Sequence, residues 1–186
     1  MKRPKIARRY AKAFFELSQE LGKVEEISKD VQLICNTFDE NKELGLAITS
    51  PIIHVDKKLA ILQTLFEPKI DPVSLRYLQL VLKKRREIHL DLMCYEFRKL
   101  YKEHKNIVTL FINSAVPLEK TATAKLAEKI KSYIGAAELE VIERIKPHLI
   151  GGVSLLFNDY FVDASVKGSI NKFRKELVDK SYQINF

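Results

Sequence analysis

The sequence predicts a mostly α fold with a smaller α/β part: six helices over residues 1–105, then a C-terminal α/β domain over 106–186 with a short β-sheet and two helices. Three observations carry this. The 186 residues are 46% apolar and 30% charged, a balance that supports one ordinary domain or two small ones. Apolar residues recur at helical spacing, broken by turn signals, as far as Lys105. At Asn106 the texture changes to NIVTLFI, a β-branched and aromatic run that reads as a strand.

The helices are expected at Pro4 to Leu21, Val24 to Phe38, Lys42 to Ile48, Val55 to Phe66, Pro72 to Arg86 and Leu90 to His104. Leu21-Gly22 and Glu40-Asn41 separate the first three. Ser50-Pro51 ends the third, because Pro disfavours a helical residue before it. Asp71 reads as an N-cap with Pro72 at the first helical position. The second part reads as a strand, then a helix from Pro117 to Ile134 closed by Gly135. Strands follow near Leu139 to Ile145, Ile150 to Phe157 and Tyr160 to Val162, with Asn158-Asp159 as a hairpin turn. A last helix is expected from Val166 to Lys180.

Composition excludes several classes. Six Gly and six Pro rule out collagen-like and low-complexity chains. Cys35 and Cys94 do not make a disulfide framework and read as small buried hydrophobes in a reducing compartment. The basic N-terminus is not followed by the apolar run of a secretory signal. It has the basic amphipathic look of a mitochondrial presequence, but Glu16 and Glu20 arrive early. LIGGVSLLF is far shorter than the roughly 20 residues of a membrane span.

Two helices carry more apolar surface than one core face needs. On the first, Ile6, Tyr10, Ala13, Leu17 and Leu21 share a side that Ala7, Ala11, Phe14 and Phe15 extend. The sector spans about 200°, against little more than about 100° for a helix resting on a core. On the fifth, Val73, Tyr77, Leu80 and Val81 form one stripe, and Leu75, Leu78 and Leu82 form another on the far side. Either both helices are central and buried on two sides, or the second stripes line a groove for a partner's amphipathic helix.

Catalytic chemistry is hard to find. Gly151-Gly152 lacks the Lys-Ser/Thr partner and third Gly of a phosphate loop, and reads as a bulge or a point of close packing. His54, His89, His104 and His148 never pair at metal-ligand spacing, and Ser154 and Ser165 have no nucleophile context. No catalytic group, cofactor or metal ligand is therefore assigned.

The formal charge is +8. Up to Lys105 there are 21 basic and 15 acidic residues, net +6; after it 11 and 9, net +2. Lys83-Lys84-Arg85-Arg86, with Lys2, Arg3, Lys5, Arg8 and Arg9, motivates a second reading as a nucleic-acid-binding adaptor. Few aromatics interleave with these residues, so a solvated helix end is the default.

Four stretches, in order, give the sequence a family resemblance: ARRYAKAFFELS from Ala7, TSPIIHVDKK from Thr49, KKRREIHLDLMCYEFRKLYKEHKNI from Lys83 and IGGVSLLFNDYFVDASVKGSI from Ile150. Together they resemble the delta subunit of F-type ATP synthases, whose mitochondrial counterpart is the oligomycin-sensitivity-conferring protein. The last stretch is the most specific and contributes Gly151, Gly152, Asp163, Ser165 and Gly168; it departs from the usual Asp-Gly-Ser at Ala164. The resemblance implies an N-terminal six-helix bundle that binds an alpha subunit of the catalytic head, beside the beta subunits. It implies a C-terminal domain that binds the b subunits of the peripheral stalk. It implies a non-catalytic stator with no cofactor and no nucleic acid, attached to a membrane only through the complex; the lack of a convincing presequence favours the cytoplasmic side of a bacterial membrane over an organellar one. Carried over by position, Tyr10, Ala11, Phe14 and Phe15 would form one wall of the alpha-subunit groove, and Leu75, Leu78 and Leu82 the other.

Overall fold

A computed structural model describes residues 4–181. Lys2 and Arg3 lie outside the described residues. The chain is mostly helical with one four-stranded sheet and splits into two compact units, Met1–His104 and Lys105–Phe186.

The first unit holds α1 (Pro4–Glu20), α2 (Val24–Glu40), α3 (Lys42–Thr49), α4 (Val55–Phe66), α5 (Pro72–Lys83) and α6 (Leu90–Lys105). Its core takes one stripe from each: Ala7 and Ala11 of α1, Ile27 and Val31 of α2, Ile48 of α3, Leu62 and Phe66 of α4, Leu78 and Leu82 of α5, and Met93 and Phe97 of α6. The free thiols of Cys35 and Cys94 hydrogen-bond across α2 and α6. That bond and burial push the Cys94 thiol up, while the same bond to Cys94 pulls Cys35 down.

Helix α5 stops three residues before the expected Arg86. Arg85 takes a left-handed backbone (φ 53), its N–H bonds the Leu82 carbonyl at 2.9 Å, and the Arg86 N–H bonds the Val81 carbonyl at 3.0 Å. That pair of bonds is a Schellman ending, with Arg standing where Gly is usual. A short 3-10 turn, Glu87–His89, then leads into α6.

The second unit runs β1 (Ile107–Ser114), α7 (Lys120–Ile134), β2 (Glu138–Ile145), β3 (Gly152–Phe157), β4 (Tyr160–Ser165) and α8 (Val166–Ser181). The sheet order is β2-β1-β3-β4, with β1 and β2 parallel across the α7 crossover and the other two pairs antiparallel. Val108, Leu110 and Ile112 alternate inward on β1 and join Leu155, Phe157 and Ile130 in the core. The expected helix from Pro117 begins only at Lys120, and Gly135 closes it in the left-handed conformation. Strand β3 begins two residues after the expected Ile150, which is itself in positive φ after a 3-10 turn. Strand β4 extends past Val162 to Ser165, and Asn158-Asp159 forms the hairpin turn before it.

Candidate functional site

A polar clamp joins the end of α1 to the start of α5. Gly22, in left-handed φ, ends α1 and lets Lys23 turn back. The Lys23 ammonium meets the Asp71 carboxylate at 2.6 Å. Asp71 caps α5, accepting from the Val73 N–H at 2.8 Å. Asp30 of α2 accepts the Asp71 N–H at 2.9 Å and the Ser74 hydroxyl at 2.6 Å. Lys23 holds the Asp71 carboxyl below the usual range, and Asp71 raises Lys23 in return. The end of α1 is thereby tied to the start of α5. Midway, the Phe14 and Tyr77 rings stack with centroids 3.9 Å apart.

Between the two helices lies an open groove of about 900 Å³. Ile6, Tyr10, Ala13, Phe14, Leu17 and Leu21 line it from α1 and its end; Val73, Tyr77 and Leu80 line it from α5. Each helix thus carries two apolar faces, one spent on the core and one left open. Leu17, Leu21 and Leu80 are 41%, 47% and 47% exposed and line this one groove together, unlike singly scattered surface leucines, which need no explanation. Burial pushes the Tyr77 phenol well above its ordinary range, and its hydroxyl has no hydrogen-bond partner among the described residues.

The expected wall residues divide. Tyr10 and Phe14 line the groove. Ala11 and Phe15 are buried in the core beneath it. On α5, Leu78 and Leu82 are buried in the core and Leu75 packs against it, so the groove takes Val73, Tyr77 and Leu80 of the opposite stripe, whose fourth member, Val81, is buried in the core. Both α5 stripes were visible on the wheel; which one faces out depends on where α2 and α6 pack, and a single helix does not contain that information.

The groove has a basic rim: Arg9, Arg76, Lys84 and Arg86 line it, and no carboxylate does. Lys83 and Arg85 of the same run do not line it: helical phase puts Lys84, four residues after Leu80, on the groove face and Lys83 off it, and the left-handed turn at Arg85 brings Arg86 to the groove. The turn is anchored from below. The Lys58 ammonium, 1% exposed, meets the Glu87 carboxylate at 2.7 Å, and the other Glu87 oxygen is buried without a partner. Sequence reasoning missed this pair; a Lys gives no sign of burial until its partner 29 residues away is known.

In the second unit the signature residues build a strand-to-helix corner. Gly152 is in left-handed φ, and a Cβ there would collide with the Ala164 carbonyl oxygen. The Gly151 carbonyl accepts the Val166 N–H at 3.0 Å. Asp163 accepts the Ser165 N–H at 2.9 Å, and hydrogen bonds from Ser165 hold its carboxyl below the usual range. The Ser165 hydroxyl in turn accepts the Gly168 N–H at 3.0 Å and caps α8. A Cβ on Gly168 would sit 2.5 Å from the Asp163 carboxylate. From this corner α8 projects Val166, Ile170, Phe173 and Leu177 as an exposed apolar stripe, with Phe173 67% and Leu177 68% exposed.

Among the described residues no group of three or more His, Cys, Asp or Glu is placed to hold a metal ion. None of their helices is long and apolar enough to cross a membrane.

Comparison with known proteins agrees along almost the whole chain. The family model for the ATP synthase delta (OSCP) subunit matches residues 6–177. The ATP synthase subunit delta of Moorella thermoacetica is 32% identical over 177 residues, covering 95% of this chain and 98% of that one. The one from Cytophaga hutchinsonii is 31% identical over 180 residues, covering 97% and 98%. A chain in the Toxoplasma gondii mitochondrial ATP synthase hexamer has the same fold, with a TM-score of 0.76 at 19% identity over 92% of this chain and 97% of that one.

Proposed function

This chain belongs to the ATP synthase delta (OSCP) subunit family, the non-catalytic stalk component of that enzyme, and we propose that its α1–α5 groove is where it grips the catalytic head. Membership of the family displaces the nucleic-acid-adaptor reading of its basic charge. On our reading the six helices of residues 1–105 act as one bundle. Their groove seats an amphipathic helix of an alpha subunit, beside the beta subunits at the top of the head. The domain of residues 106–186 meets the b subunits of the peripheral stalk, with the apolar stripe of α8 as the contact. Attachment to the cytoplasmic side of a bacterial membrane is then indirect, through the complex.

The observation that carries this is the open apolar face on two helices whose other faces are fully used by the core. Its length fits a helix: Ile6 to Leu21 spans about 22 Å at 1.5 Å per residue, roughly four turns. The work of such a subunit is mechanical. Ion flow turns a rotor inside the head, and the head must be held still for rotation to change nucleotide affinity. A desolvated helix-in-groove contact suits sustained torque, because its strength lies mainly in slow dissociation.

The direct test introduces a charge on the open face without touching the core. Leu17→Asp and Leu80→Asp alter half-exposed side chains, whereas Phe14, 3% exposed and stacked on Tyr77, would unfold the unit if charged. With either Leu variant, the head keeps hydrolysing ATP while ion-driven synthesis in reconstituted vesicles fails. Normal coupled synthesis with both variants would remove the groove from the head interface.

A further inference from the structure

The rim charge of the groove is one-sided. Arg9, Arg76, Lys84 and Arg86 are all exposed and all line the apolar trench, and none has an ion-pair partner among the described residues. Three of the four lie together. The Lys23–Asp71 bond places the end of α1 beside the start of α5, the Phe14–Tyr77 stack joins the two helices midway, and Ile6 and Arg9 line the same groove as Lys84 and Arg86, so the start of α1 lies beside the end of α5. Arg9 therefore shares one end of the groove with Lys84 and Arg86, and the opposite end, at Leu21 and Val73, is lined by apolar side chains. The backbone is arranged to keep that end basic. Lys84 follows Leu80 by four residues and so stands on the groove face of α5, the left-handed Arg85 turns the chain so that Arg86 lines the groove as well, and the buried Lys58–Glu87 pair fixes the turn from beneath.

We infer that the groove selects an amphipathic helix with a cluster of carboxylates at one end, and that Arg9, Lys84 and Arg86 set the direction in which it lies. This rests on the head-binding reading and specifies the chemistry of the occupant. Apolar burial holds the helix but is nearly indifferent to its direction, since a Leu/Ile stripe fits a trench either way round. Opposite charge at one end breaks that symmetry and speeds productive encounter. The same cations would reject a helix carrying Lys or Arg at that end, because like charges would lie together against a partly desolvated surface. The cluster at Lys83 to Arg86 thus divides by role: Lys84 and Arg86 face the ligand, and Lys83 and Arg85 do not.

The test uses the whole chain and the catalytic head of its own complex. Three variants are compared: Lys84→Glu/Arg86→Glu on the rim, Lys12→Glu/Lys83→Glu as a charge-matched control off the groove, and Leu80→Asp on its apolar face. Rim reversal is expected to weaken binding about tenfold at low salt, mostly through slower association, with the loss shrinking as salt rises. The control should stay within about twofold. Carbodiimide, which condenses an amine and a touching carboxylate to an amide with loss of water, should join Lys84 to an Asp or Glu of an alpha subunit. Equal losses in rim and control variants, or no cross-link at Lys84, would overturn the inference while a loss with Leu80→Asp left the groove reading standing. No loss with any of the three would overturn both.

Discussion

Removing the Lys58 ammonium should unfold the N-terminal unit more easily than any single surface change, and for a reason specific to its partner. Lys58 is 1% exposed and its Nζ lies 2.7 Å from a Glu87 oxygen. Lys58→Met keeps most of the apolar stem and leaves the Glu87 carboxylate buried with neither oxygen paired, since the second has no partner already. Breaking one side of a buried ion pair costs about 3–5 kcal/mol, whereas replacing both charges with apolar groups is often neutral or stabilising. The double variant Lys58→Met/Glu87→Leu should therefore recover most of the loss. Urea unfolding followed by circular dichroism gives both numbers from shifts of the midpoint at constant slope. Head affinity of the single variant should also fall, because Glu87 directly follows the turn that presents Lys84 and Arg86. A single variant that costs under about 1 kcal/mol, or a double variant no better than the single, would refute the reasoning.

Three further outcomes follow from local geometry. Arg85→Gly should stabilise the first unit by about 0.5–1 kcal/mol, because Gly relieves the left-handed backbone penalty but loses more entropy on folding; the thermal midpoint reads it. Gly168→Ala should destabilise by about 1–2 kcal/mol, opposite to the usual sign inside a helix, because the new Cβ collides with Asp163; in an Asp163→Ala background the same change should stabilise. For Lys23–Asp71 the two shifts point apart. Asp71 is depressed, so its contribution is present above about pH 4 and fades as pH falls through the folded value. Lys23 is raised, so its contribution is present below about pH 10 and fades as pH rises through the folded value. Unfolding midpoints of wild type and Asp71→Asn should differ by a constant amount from pH 5 to 9 and converge at both extremes.

Much of this fold lies in local sequence signals, and the exceptions are all long-range. The α4 bounds, the Asp71-Pro72 start of α5, the Gly135 cap and the Asn158-Asp159 hairpin are each set by residues within a turn of the feature. The end of α5 was misjudged because Lys83 to Arg86 are good helix formers, and the Arg at φ 53 is held by the turn that docks Glu87 onto Lys58. The groove was legible as excess apolar surface on two helices. Its lining was half legible: on α1 the border residues Tyr10 and Phe14 serve both faces, while on α5 two separate stripes compete and packing against other helices chooses between them. The rim charge was visible as a run and Lys84 shares the helical phase of Leu80, but the placement of Arg86 needs the Arg85 backbone dihedral, which composition does not encode. In the second unit the signature residues turn out to cap and pack a corner, a role read from the hydrogen bonds of Asp163 and Ser165.

The central claim is that the open face of α1 and α5 grips the head. The most direct measurement is the dissociation constant between the catalytic head and the Leu80→Asp chain. Leu80 is 47% exposed, so the fold tolerates the change. In the complex a carboxylate would have to be buried where apolar surface was expected, at a cost of at least about 3 kcal/mol. That corresponds to an affinity loss of about 100-fold or more. The account predicts that loss with an unchanged unfolding midpoint and unchanged binding to the stalk b subunits. An unchanged dissociation constant would contradict it.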